Sequence, residues 1–232
     1  MPQYRQSPFA NLTPVVKNLL IINLICFLPY IFLGEHKYDD IVVRNFGLFY
    51  FNSPGFRVWQ LLTYMFVHGG FAHILFNMLA LFSFGPILEY AIGPKKFFNL
   101  YFISGIGAAL IQMLAQAVEV HMAAGSFTVS DATVFLSQAN VDKVAAIYGG
   151  PTVGASGAIF GVVVAFAMLY PDLELMILFL PVPIKAKYLI PVYIVIELVS
   201  GFGQFSGDNV AHFAHLGGAL IGFIMIKIWR YR

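Results

Sequence analysis

One apolar run of the sequence opens on a serine among small residues, Gly154-Ala155-Ser156-Gly157, and another opens on two histidines, His212 and His215, in AHFAHLGG. A third stretch, HILFN, sets His73 and Asn77 four residues apart, on one face of a helix. A serine hydroxyl is a poor nucleophile until a base takes its proton, and a neutral imidazole is the usual base near neutral pH. Attack on a carbonyl then creates an oxyanion, and each donor aimed at it lowers the barrier by about 3 kcal/mol. The expected roles are therefore Ser156 as nucleophile and His212 as base, with His73, Asn77 and the Ser156 backbone N–H as oxyanion donors. No acidic residue shares the span of His212, so a dyad is expected rather than a triad.

Other readings of the same residues are weaker. Taken alone, Ser156 reads as a packing residue between membrane helices, and Asn77 as helix-to-helix glue; the company of His212 and HILFN reverses that for the serine. His215, three residues from His212 on nearly the same face, is expected to help in substrate binding or capping. His68 reads as a structural or interfacial residue, and Glu197 as a hydrated interface residue or a gate element. A zinc site built from His68, His73, His212 and His215 lacks the H-E-x-x-H pattern and cysteine ligands, so no metal is expected.

The elements that must position these residues are membrane helices. Of 232 residues 59% are hydrophobic and 10% charged, and the mean hydropathy is +0.80, which marks an integral membrane protein. A net charge of +2 without a basic, aromatic-interleaved cluster excludes nucleic acid as a partner, and a single cysteine, Cys26, excludes an intramolecular disulfide. A bilayer core asks for roughly 20 apolar residues. Val15–Leu33, Ala72–Ile92, Phe97–Val118 and Ala211–Trp229 meet that length, and Ala155–Tyr170 and Tyr188–Val199 are shorter spans. The expected architecture is all-α: an N-terminal cytoplasmic segment, 1–13, then one six-helix membrane domain, 14–232. Leu173–Ile184, apolar but broken by Pro181 and Pro183, is expected to be a re-entrant or interfacial excursion.

Nine of the thirteen lysines and arginines fall inside if both termini are cytoplasmic. Ser156 then opens a helix entered from outside. The fifteen residues from Ser156 to the boundary at Pro171 rise only about 22 Å at ~1.5 Å each, against a core of about 30 Å, so the serine should sit below the outer surface. Gly157 and Gly161 on one span, and Gly218 and Gly222 on another, form small-residue faces that let backbones approach. These faces are expected to meet. The aromatic stretch Gly34–Phe71 should lie in the membrane interface.

HILFN, GASG and AHFAHLGG, in this order within six spans, resemble the H-x-x-x-N, G-x-S-G and A-H-x-x-G/H-L-x-G motifs of the rhomboid family of intramembrane serine proteases. The resemblance implies cofactor-free and metal-free hydrolysis of peptide bonds in or beside transmembrane segments, with single-span membrane proteins as substrates and the lipid bilayer as surroundings. It implies supporting roles for Gly154, Gly157 and Phe160, the last as a ring packed on His212. It also implies a substrate gate at Tyr188–Val199 and the following GFGQFSGDN. Trp59-Gln60 stands where relatives commonly have tryptophan-arginine. The alternative is a catalytically silent, client-binding relative, and such proteins typically lack the serine or the histidine. A transporter would need polar groups through the full membrane depth.

Overall fold

Helices form over the apolar runs, and Gly34, Gly93, Gly125 and Gly150 cap four of them, while Pro29, Pro86 and Pro191 lie inside helices. The computed structural model describes residues 12–129, 137–177, 180–203 and 210–230. Its main elements are α1 (Pro14–Leu33), α2 (Phe71–Ile92), α3 (Pro94–Ala124), α4 (Gln138–Gly149), α5 (Ser156–Leu169), β1 (Glu174–Ile177), β2 (Leu180–Lys185), α6 (Ala186–Gly203) and α7 (His212–Ile228). Helices α1, α2, α3 and α6 are long and apolar enough to cross a membrane, whereas α5 and α7 are shorter apolar helices. All six expected spans are helical. Helix α3 continues past its expected end to Ala124, and α4 lies in the loop that follows it.

The described residues between α5 and α6 include a strand pair, where a re-entrant or interfacial excursion is expected. β1 and β2 are antiparallel, with Glu174 opposite Lys185. Ala186 donates its N–H to the Leu173 carbonyl (2.9 Å) and Lys187 to that of Pro171 (3.0 Å), so the chain leaves the bundle and re-enters it at one place. The end of α5 and the start of α6 therefore lie side by side, and α6 runs back along the bundle.

Helix α5 is central, packed against α2, α3, α6 and α7. The two small-residue faces meet as the sequence predicts: a methyl group on Gly218 would overlap the Gly157 carbonyl oxygen, and one on Gly222 would overlap that of Gly161. Both pairs advance together, so α5 and α7 run parallel with their backbones in contact.

Helix α1 begins with Pro14, which has no N–H, and its next free donors are satisfied by a distant side chain. Buried Glu89 of α2 accepts hydrogen bonds from Val15 N (3.0 Å), Val16 N (2.9 Å) and the Thr13 hydroxyl (2.5 Å). This carboxylate joins the start of α1 to the end of α2.

The segment between α1 and α2 folds into short helical turns over 35–46 and 60–66. Gln60 is fully buried and orders this segment. Its Oε1 accepts from Arg57 N (3.0 Å) and Phe49 N (3.3 Å), and its Nε2 donates to Gly55 O (3.0 Å). The neighbouring Trp59 donates Nε1–H to Asn45 O (3.0 Å).

Candidate active site

The segment before Ser156 is held by the first loop. Leu48 and Thr152 exchange both backbone hydrogen bonds (2.8 Å each), and Gly154 N donates to Tyr64 O (2.9 Å). The Tyr64 hydroxyl continues to Gly105 O on α3 (2.7 Å). Gly154 has φ +120, a conformation that favours glycine. A Cβ there would stand 2.5 Å from His73 Nε2, so no larger residue fits between the backbone and that ring.

The imidazole that reaches the serine belongs to His215: its Nε2 lies 2.7 Å from Ser156 Oγ. His212, expected as the partner of Ser156, is instead joined through Nδ1 to Glu197 Oε2 of α6 (2.6 Å). The cause is helix register. With Gly218 set against Gly157 and Gly222 against Gly161, His215 stands one turn above Gly218, beside the start of α5. His212 stands a further turn up and is rotated by about 60° at 100° per residue, which turns it toward α6. Phe160, expected to pack on His212, stacks on His215 (ring centroids 4.3 Å apart, planes at 8°).

His73, Asn77, Ser156 and His215 line one cavity of about 1130 Å³, and His212 is not among its described lining residues. His73 Nδ1 accepts the Gly69 N–H (3.3 Å), which leaves its Nε2 as the N–H that faces Gly154. Asn77 donates one amide hydrogen to His73 O (3.1 Å) and keeps a second. Gln112 and Gln116 of α3 give the cavity a polar wall, while Phe76 and Phe84 of α2 face Tyr193 and Ile194 of α6 across it. The arrangement suits proton removal from Ser156 by His215 beside two donors. Residues 204–209, most of the loop implied as part of a gate, lie outside the described residues.

Glu197, read from the sequence as a hydrated interface residue or gate element, is buried and joins the site, and His68, read as structural or interfacial, is buried beside it. Glu197 Oε2 lies 3.0 Å from His215 Nδ1 as well as 2.6 Å from His212 Nδ1. The two histidines, three apart on α7, are the available signal that a shared partner faces both. His68 is completely buried just before α2, with its ring centroid 5.1 Å from that of His73. Burial, and then the neighbouring His73, lower its pKa to about 3. Between pH 6.5 and about 3 the unfolded chain binds a proton at this residue that the folded chain refuses. Stability should fall as pH drops below 6.5, by about 1.4 kcal/mol per unit from this group. Thermal unfolding in detergent across that range checks it, and His68→Asn should flatten the slope.

The sequence profile of the Rhomboid domain matches residues 55–232. The rhomboid protease AarA of Providencia stuartii is 33% identical over 216 residues, covering 89% of this chain and 69% of that protein. Rhomboid protein 1, mitochondrial, of Saccharomyces cerevisiae is 31% identical over 159 residues, covering 68% of this chain and 38% of that protein. The rhomboid protease GluP of Bacillus subtilis is 33% identical over 165 residues, or 71% of this chain and 25% of that protein.

Proposed function

This chain belongs to the rhomboid family, and we propose that it is an intramembrane serine endopeptidase that cuts membrane-protein substrates within or beside their transmembrane segments. The observation that carries the reading is the 2.7 Å contact of Ser156 Oγ with His215 Nε2 inside a cavity shared with His73 and Asn77. Ser156 is the nucleophile and His215, in place of His212, is the base.

The Ser156 hydroxyl attacks the scissile carbonyl while its proton passes to His215 Nε2. The resulting oxyanion meets the His73 Nε2–H, the Asn77 amide and the Ser156 backbone N–H. As the carbon–nitrogen bond breaks, His215 returns the proton to the departing amine, leaving an acyl-enzyme on Ser156. Water then enters past Gln112 and Gln116 and adds to the acyl carbon as its proton passes to His215; the carbon–Oγ bond breaks, His215 returns the proton to Ser156 Oγ, and the acid leaves. Neither metal nor cofactor takes part in these steps. The gap between the phenylalanines of α2 and Tyr193 of α6 suits a single-span client arriving sideways. In this proposal six helices span the membrane, both termini are cytoplasmic, the first loop lies in the interface and the site opens toward the extracytoplasmic side.

A serine-directed fluorophosphonate tests the reading without a known client. The parent should be labelled in membranes, and Ser156→Ala should not. Asn77→Ala should be labelled on the order of a hundredfold more slowly, the effect of losing one oxyanion donor. Equal labelling of the parent and Ser156→Ala would defeat the proposal.

A further inference from the structure

Glu197 of α6 is 6% exposed, although it is a carboxylate in an apolar helix. A buried charge of this kind persists only where hydrogen-bond donors meet it. Here both contacts are ring nitrogens: His212 Nδ1 at 2.6 Å and His215 Nδ1 at 3.0 Å, all three side chains being 13% exposed or less. The His212 contact is a hydrogen bond. The His215 contact has ion-pair distance without being a formed hydrogen bond, and the buried Nδ1 has no other polar partner among the described residues.

The tautomer of His215 follows from its other nitrogen. To take a proton from Ser156, Nε2 must carry a lone pair, so the neutral ring carries its hydrogen on Nδ1. Phe160, stacked on one face of the ring, keeps it from tilting far from this plane. We propose that Glu197 is the positioning residue of the site: held by His212, it receives the Nδ1–H of His215, fixes the ring with Nε2 toward Ser156 and stabilises the imidazolium that forms. The proposal rests on the assignment of Ser156 and His215 made above. It also gives His212 a role, that of holding the carboxylate in place.

A metal ion among these three groups is the competing arrangement, since their ligand atoms lie within 4.8 Å of one another. Ligands about 2.1 Å from a tetrahedral zinc stand roughly 3.4 Å apart. The 2.6 Å between Glu197 and His212 is the separation of groups that share a proton.

The experiment compares Ser156-dependent fluorophosphonate labelling rates of the parent, Glu197→Gln and Glu197→Leu across pH in detergent. Other titratable groups near His215 are His212 on its own helix, His73 of α2, and Glu119 of α3 on the cavity wall, paired with Lys143. Glutamine keeps the shape and an acceptor for Nδ1–H but removes the charge, so it should be slower by tenfold to a hundredfold. Glutamine takes away the negative charge that would meet the imidazolium, so the acid limb of the rate profile should move to lower pH. Leucine removes the acceptor too and should be slower still. A residue that only packs would leave the acid limb in place. Glu197→Gln with the parental rate and an unmoved acid limb overturns the proposal alone, while a parent labelled independently of Ser156 overturns the protease reading and this proposal with it.

Discussion

Replacing His215 with alanine should lower the turnover of a co-expressed single-span client by a factor on the order of a thousand or more, whereas His212→Ala should cost roughly tenfold. Under the proposed roles, the difference follows from which nitrogen meets Ser156 Oγ. His215 Nε2 stands 2.7 Å from Ser156 Oγ, so its removal leaves the hydroxyl without a base. His212 Nδ1 bonds Glu197, one contact removed from the reaction. Ser156→Ala should match His215→Ala, and the double replacement should be no worse than either, because the two act as one unit. Gel quantitation of the cleaved client, normalised to inserted enzyme, reads all four. Equal loss from His212→Ala and His215→Ala would show that the two imidazoles cannot be told apart by their distance to the serine.

Gly218→Ala should unfold or grossly weaken the bundle, by about 3 kcal/mol or more. The added methyl would coincide with the Gly157 carbonyl oxygen, a backbone atom that no rotamer change can move aside. Separation of α5 from α7 would also carry His215 away from Ser156, so fluorophosphonate labelling should vanish together with the unfolding transition. Gly149→Ala is the control. Nothing lies within 4 Å of its added carbon, so stability should change by no more than about 0.5 kcal/mol. Unfolding midpoints in one detergent compare the two.

That glycine seam was readable from the chain because small residues four apart mark a helix face whatever lies opposite. HILFN was readable for the same reason, since i,i+4 spacing puts His73 beside Asn77. The choice between His212 and His215 was not. They stand three apart, nearly on one face, and only the offset between α5 and α7 decides which of them looks at Ser156. The two glycine faces could be read but not their register, and it is the meeting of Gly157 with Gly218 that sets His215 beside Ser156. Glu197 was obscured in the same way: nothing within α6 tells which of its faces meets α7. The strand pair of β1 and β2 was read as a re-entrant or interfacial excursion, since apolar character and prolines say where a helix stops and not how two strands pair. Gln60 was read only as a departure from the family's tryptophan-arginine pair, yet its amide both accepts from two loop N–H groups and donates to a loop carbonyl, which a donor-only guanidinium could not do.

The partners in the central hydrogen bond are 59 positions apart, and the serine is the earlier of the two. At translation speeds of 5–20 residues per second, a growing chain carries this alcohol for roughly three to twelve seconds before its imidazole has even been made. On the proposed assignment the serine has no base until α7 has been made and has packed along α5, so the order of synthesis holds back the chemistry until the bundle closes.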